Sequence, residues 1–424
     1  MVKVGRHIEE ARSMRDLLGD LHAEAQKCTE DGVDDEEMCI VLIIDFCQNM
    51  EMPSFNGTQP GETYYYSPMT VPTLGIVDGN TKENILYAYI YSEAEGNKGG
   101  NVVASLIMKY LSDRGLLDGK KRAKLTIVMD NCPGQNKNNH VVRLAPYLVA
   151  KGYFKKAGFL FLLAGHTKNW ADKRFNNLKE DYRVTDLFCM DDLVAACNRS
   201  DYVIAEQVYW KDFRNYNHYL DSFFKKMEAV KIYQMFNSSF DYAATASVNI
   251  GLGNMKYRTY LKKQIRGGAA ARTALMNNEA GYLYAFRPGL KDIKKVELFC
   301  KYRSLSLIPK RCRNITCPDP GQEVIDNVKK TRAQNNTVKR AAKKLKEGDT
   351  TAKKGAKKKG AKKTAQEKSN NGNKDDSDID CETTETTTKR KANQLNSDDE
   401  DEGGNNIGSP VNFDSQPQYF GNAW

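Results

Sequence analysis

Apolar residues recur along this chain at two periods, and the change of period marks its organisation. Residues 6–27 place Ile8, Ala11, Met14, Leu17, Leu18 and Leu21 at helical spacing, which predicts an amphipathic helix. "TEDGVDDEEM" then breaks the pattern and reads as an acidic linker. From 38 onward "MCIVLIID" (38–45) is a continuous β-branched run, as expected of a strand buried on both faces. "MTVPTLGIV" (69–77) and "NILYAYIYSE" (84–93) flank "DGNTKE" and read as a hairpin. "GGNVVASLIMKYLSDRG" (99–115) predicts a helix between glycines. "KLTIVMD" (124–130) predicts a strand and "NKNNHVVRLAPYLVAKG" (136–152) a helix. "GFLFLLAGH" (158–166) is a further buried strand, followed by a helix in "NWADKRFNNLKEDYR" (169–183).

The predicted order is three strands, then helix, strand, helix, strand, helix. Three antiparallel strands followed by βαβα units make an α/β fold with a mixed sheet flanked by helices. That is the ribonuclease H-like (RNase H-like) arrangement. Four regions follow. Residues 1–36 form the helix and linker, which reads as a possible remnant of a lost DNA-binding region. Residues 37–200 form the RNase H-like domain. Residues 201–317 are aromatic-rich, with mixed signals, and read as a packed α+β extension. Residues 318–424 form a charged tail, first Lys-rich and then acidic, with too few apolar residues to offset ordering entropy, so disorder is expected.

Charge changes this picture only locally. The net charge is +10, but twelve basic residues between Lys339 and Lys363, against Glu347 and Asp349, account for all of it. The rest of the chain is close to neutral, so it is not a generic polycation. The apolar runs at 39–44 and 158–164 are too short to cross a bilayer, which argues against a membrane partner. The start of the chain lacks the pattern of a secretory signal, and ten irregularly spaced cysteines imply reduced thiols inside the cell. Cys300, Cys312 and Cys317 form no Cys-x-x-Cys pair, so their spacing does not point to zinc.

Candidate chemistry gathers at strand ends. Asp45 ends the first long strand and Asp130 the fourth, and in this arrangement those strands lie side by side. Ligands of open α/β sheets bind outside the carboxyl ends of strands. Two carboxylates together there repel unless a proton or cation sits between them, and hard oxygen donors suit Mg²⁺ or Mn²⁺. Asp172, on the first turns of the next helix, supplies a third acid, and Lys179 lies two turns along on nearly the same face. Three acids could hold a two-ion site with metals about 3.5–4 Å apart, one activating a water or 3′-hydroxyl and one stabilising the leaving oxygen. Lys179 could contact a phosphate as a point charge. Gln135, Asn136, Lys137 and Asn139 would follow the DNA backbone, and His166 and Lys168 are further candidates for nucleic-acid contact. Each piece also has a structural reading. A strand-end Asp can form a turn, Asp172 can favour a helix N-terminus, the amides can cap the next helix, and His166 can be a hydrogen-bonded strand end.

"DNCPGQNKNN" followed by "GHTKNWADKRFNNLK" resembles a domain family widespread in transposon-derived eukaryotic proteins, similar to the RNase H-like DDE transposases and integrases. "DFCQNMEMP" and "SEAEGNKGGNVVASLIMKYL" match the same pattern, and the likeness covers about 38–200 and, more loosely, reaches about 310. The resemblance implies that Asp45, Asp130 and Asp172 bind metal. DDE-type enzymes most often carry Glu in the third place, which makes Glu180 the alternative to Asp172. Related proteins carry an N-terminal DNA-binding region, so a truncated or domesticated copy, or an incomplete gene model, is expected.

Two functions compete. One is a transposase-like polynucleotidyl transferase or endonuclease, or an inactive descendant, with a purely hydrolytic nuclease as a variant. The other is a non-catalytic nucleic-acid or chromatin-binding protein in which the Lys-rich tail supplies salt-dependent affinity. Both expect DNA as partner and a nuclear location through "KRAAKKLK", "AKKGAKKKGAKK" and "KRK" (389–391), and both leave self-assembly into a homo-oligomer open.

Overall fold

The apolar run after Met38 becomes the strand around which the sheet is built: β1 (Cys39–Phe46), with an uninterrupted buried stretch from Ile40 to Ile44. The computed structural model describes residues 2–55, 60–61, 63, 66–163, 170–224, 226, 230–239, 245–250, 254–259, 268–305, 308–335 and 337–338. The Lys-rich and acidic runs lie outside the described residues. Residues 1–350 cluster as one unit and 351–424 as another, and only the first is described here.

In chain order the elements are α1 (Val2–Glu30), β1, β2 (Met50–Met52), β3 (Met69–Val71), β4 (Thr73–Asp78), β5 (Leu86–Ile90) and α2 (Gly100–Asp113). Then come β6 (Arg122–Met129), α3 (Asn139–Val142), α4 (Leu144–Ala150), β7 (Phe154–Phe161), α5 (Trp170–Leu178), α6 (Met190–Cys197) and β8 (Val203–Gln207). The remainder comprises α7 (Tyr216–Asp221), β9 (Met235–Ser239), β10 (Thr245–Ile250), β11 (Asn254–Thr259), α8 (Gly268–Asn277), α9 (Asp292–Glu297) and α10 (Lys310–Thr316).

Among the described residues nine strands form one mixed sheet in the order β11-β10-β9-β7-β6-β1-β4-β5-β8. β1, β4 and β5 are successively antiparallel, while β6 and β7 continue parallel to β1. This is the expected mixed α/β arrangement. Alternation sorts the side chains into two cores. Ile40, Leu42 and Ile44 face the core shared with α2, α3, α4 and α7. Val41 and Ile43 face the other core, shared with α1, α5 and α6. Buried Ala11, Met14, Leu18, Leu21 and Ala25 carry the stripe by which α1 docks on that second face.

The structure corrects several boundaries. "MTVPTLGIV" is two strands, because Pro72 interrupts it, and its first half pairs with β2 in a separate two-stranded sheet. The single helix expected at 136–152 is α3 and α4, with Pro146 in the first turn of α4, where a missing N–H costs little. Residue 200 is not a domain edge, since β8 and β9 from the expected extension lengthen the same sheet at both sides. Nor does order end at 318. A helical segment spans 322–335, where Ile325 and Val328 pack with Val296 of α9.

Helix α5 reaches the sheet through a gap left by glycine. Gly75 of β4 is the cross-strand partner of Asp45, and the Phe175 ring occupies the space where its Cβ would stand. Leu86 Cδ1 would lie only 2.7 Å from that Cβ. Gly75→Val is therefore expected to overpack this contact and cost about 1–3 kcal/mol in denaturant unfolding. Combined with Phe175→Ala, its penalty should shrink by at least about 0.5 kcal/mol relative to the sum of the single changes. Strict additivity would show that the ring does not depend on Gly75.

Candidate metal and phosphate site at the carboxyl edge

Register brings the first two acids together. Ile44 of β1 pairs with Met129 of β6 in a parallel ladder, so Asp45 and Asp130 are the next residues along neighbouring strands. Adjacent strands lie about 4.8 Å apart, and equivalent positions face the same way. Asp45 continues the series Val41 and Ile43, and Asp130 follows Val128, all toward the core that contains α1 and α5. Asp172 enters on that face from the first turn of α5. Phe175, three residues on, is the residue seated over Gly75 beside Asp45.

The electrostatics record this proximity. The Asp45 carboxyl is pushed up from 3.8 to about 7, first by burial, then by the Asp130 charge, with Asp172 adding to it. The Phe46 N–H, which donates to Asp45 Oδ1 at 2.7 Å, and the Lys98 charge act in the opposite direction. Asp130 is held differently. Its Oδ1 accepts from the Cys132 N–H at 3.3 Å and from the Asn136 side-chain amide. Asp172 is the acid whose charge reaches Asp45, and Glu180 lies beyond the end of α5; both side chains are exposed.

Two cations meet at Cys47, two residues past Asp45. Lys179 hydrogen-bonds the buried Cys47 thiol, just past Asp45. Lys98 donates to the Cys47 carbonyl at 3.4 Å and lies 4.6 Å from the centroid of the Phe46 ring. Burial lowers the pKa of Lys98, while nearby Cys47 and Asp45 oppose that shift. Neither Lys98 nor Cys47 was singled out from the sequence. Both lie in quoted motifs, "SEAEGNKGG" and "DFCQNM", but no spacing rule links residue 98 to residue 45. Gly100 supplies part of the link: a Cβ there would meet Asn138 Oδ1 at 2.7 Å and His140 Nδ1 at 2.8 Å, so α2 starts against the amide loop.

That loop differs from expectation. Asn136 and Lys137 do not line an outer surface. Asn136 is fully buried and serves Asp130, and Lys137 is buried with its Nζ on the Lys231 carbonyl at 3.0 Å. Burial alone lowers the Lys137 pKa to about 8. The physical reason is the turn at Cys132, whose carbonyl accepts from both N–H groups and rolls the two side chains inward. Asn138 caps α3, accepting from the His140 and Val141 N–H groups at 3.0 and 3.2 Å, so the structural reading holds for that amide. Gln135 and Asn139 are half-buried at the loop's rim. His166 and Lys168 lie outside the described residues.

Residues 67–250 match a family model described as "Domain of unknown function (DUF7869)". The matched span is less than half of the chain, contains Asp130 and Asp172, and begins after Asp45. No curated protein and no solved structure matches the chain. No described helix is long and apolar enough to cross a membrane.

The donor set of the DUF7869-matching domain and the preceding strand is three carboxylates, with an amide orienting one and two ammonium groups alongside. The chemistry of such a set suits a divalent cation next to a phosphate, although the ligand atoms of the three acids are not all drawn within 4.8 Å of one another. Its cost without a cation is measurable. Between pH 3.8 and about 7 the unfolded chain has released the Asp45 proton while the folded chain keeps it, so stability falls as pH rises through that window. The full displacement corresponds to about 4 kcal/mol, which solvent at the half-buried carboxylate should screen to about 1–2 kcal/mol. In chelator, Asp45→Asn is expected to raise the unfolding midpoint at pH 8 and change it little near pH 4. An equal effect at both values would mean that Asp45 is not perturbed.

Proposed function

We propose that this chain is a divalent-metal-dependent enzyme of the polynucleotidyl transferase and endonuclease class acting on DNA, or an inactive descendant of one. The observation that carries the reading is the convergence of Asp45, Asp130 and Asp172 on one face of the carboxyl edge, with the Asp45 carboxyl pushed up to about 7 by burial and by the other two. Carboxylates that repel one another at a partly desolvated edge are the groups a hard cation stabilises. The three acids would hold Mg²⁺ or Mn²⁺, which when bound supplies Lewis-acid stabilisation of a phosphoryl oxygen and activation of a water or 3′-hydroxyl. Asn136 fixes the orientation of Asp130, as a hydrogen-bonded partner does for a ligating carboxylate. Lys98 and Lys179 would hold the phosphate against the acids as point charges. A nuclear location through the Lys-rich runs belongs to the same proposal.

One observation favours the non-catalytic reading. Asn136 and Lys137 are turned into the protein, which leaves less of the amide loop for a DNA backbone. DNA affinity would then come from residues 339–363 and fall steeply with salt.

Nicking of supercoiled plasmid by the purified chain separates the two. The expected result is cleavage that requires Mg²⁺ or Mn²⁺, drops to background in Asp130→Asn, and falls about tenfold in Lys179→Ala, while DNA binding persists in both variants. Undiminished nicking by Asp130→Asn would end the enzymatic reading. Binding without nicking by the intact chain, abolished when residues 339–424 are removed, would establish the second.

A further inference from the structure

A second cluster of ligand-type side chains lies away from the acids, where α10 packs on the start of α6. Cys189 is the N-cap residue of α6 and Asp192 sits three residues on, so both face the same side of the first turn. Cys312, on α10, meets them there, and the ligand atoms of the three all lie within 4.8 Å of one another. Among the described residues this is the one group of three His, Cys, Asp or Glu side chains so closely drawn together. Cys189 and Cys312 are buried and Asp192 partly so.

We propose that Cys189, Asp192 and Cys312 form a binding site for a thiophilic divalent cation of the zinc class, which fastens α10 to the domain that carries the acids. The spacing fits. A tetrahedral ion with Zn–S near 2.3 Å and Zn–O near 2.1 Å sets its sulfur and oxygen ligands about 3.6 Å apart. Cys312 Sγ and Asp192 Oδ2 stand 3.7 Å apart. The other carboxylate oxygen, Oδ1, is held at 2.7 Å by Arg311, whose guanidinium also reaches Cys189 Sγ at 3.6 Å. Two thiolates and a carboxylate carry three negative charges. A divalent ion leaves one, and Arg311 balances it while orienting both ligands from outside, the role outer hydrogen-bond donors take at metal centres. Binding would release the two thiol protons to solvent, with no change in oxidation state. The site differs in kind from the three acids, which offer oxygen donors alone. Thr316 Oγ1 donates to the Phe188 carbonyl at 2.5 Å, so the cluster's two halves are already joined without an ion. Three protein ligands leave a fourth position for water.

The test is Co²⁺ titration of the reduced full-length chain followed by optical absorption. The expected result is one ion with strong tetrahedral visible bands and a thiolate charge-transfer band, displaced by one equivalent of Zn²⁺. The signal should vanish in Cys312→Ser and persist in Cys300→Ser, whose thiol is exposed and outside the cluster. Cobalt at the carboxylates would give weak bands without sulfur charge transfer, so failure here and failure of the proposed enzymatic site are distinguishable. Because Cys312→Ser could misfold, the unmodified chain provides a second measurement. Zn²⁺ should slow alkylation of Cys189 and Cys312 at least tenfold and leave Cys300 unaffected. Unchanged alkylation, a sulfur signal that survives Cys312→Ser, or a Cys189–Cys312 disulfide whose reduction yields no metal uptake would each overturn the proposal.

Discussion

The parallel pairing of β1 with β6 is the constraint on which the rest of the candidate site depends. Ile44 opposite Met129 makes Asp45 and Asp130 neighbours. A slip of one residue in β1 would turn Asp45 to the opposite face and carry Val41 and Ile43 with it. Register here is strongly specified because both faces of β1 are covered: Ile40, Leu42 and Ile44 are buried in one core, Val41 and Ile43 in the other. The two acids are thus held together by the buried apolar residues of β1 and β6 behind them, not by any interaction of their own. Packing overcomes a local repulsion, which is possible because the repulsion is worth a few kcal/mol and the two cores far more.

Placement of the third acid is a separate problem with a separate solution. α5 is only nine residues long and could not hold its position by helix propensity. It is pinned at several points. Phe175 fills the space over Gly75, and Trp170 stacks on His22 of α1 at a centroid separation of 4.2 Å. Arg174 is buried, donates to the Asn84 carbonyl at 2.9 Å, and lies over the Tyr202 ring at 4.1 Å. The N-terminal helix therefore bears on the site although it is remote in sequence. His22 also meets Asn84 at 2.7 Å, and Asn80 bonds the Ala25 carbonyl, so the β4–β5 turn clasps α1.

Sequence periodicity carried the central strands and the long helices, because those features follow from which positions must leave water, and the order of the elements placed β1 beside β6. It failed where backbone chemistry overrides the apolar pattern. Pro72 divides one apolar run between two sheets, and the chain turns at Cys132 so that Asn136 and Lys137 point inward. A polar stretch read as surface proved to be an internal brace. Lys98 was invisible for another reason: it reaches Cys47 across the fold, and only the three-dimensional course of the 91–99 segment brings it there. Cys189 and Cys312 are likewise 123 positions apart, so no spacing rule could pair them.

The bland reading of each acid can now be weighed against its contacts. It holds in part for Asp130, whose carboxylate accepts from a following N–H as a turn-forming aspartate does. It fits Asp45 poorly. The Asp45 carboxylate accepts from the next N–H, within the strand, and neither caps a helix nor closes a turn. Its position continues an apolar series, and a valine there would extend the core without desolvating a charge next to Asp130. A carboxylate raised by burial, next to Asp130 on the neighbouring strand and within reach of the Asp172 charge, is what the proposed cation site would account for. The same comparison applied to Lys137 gives the opposite answer: its ammonium is spent on an internal carbonyl, and its burial is structural.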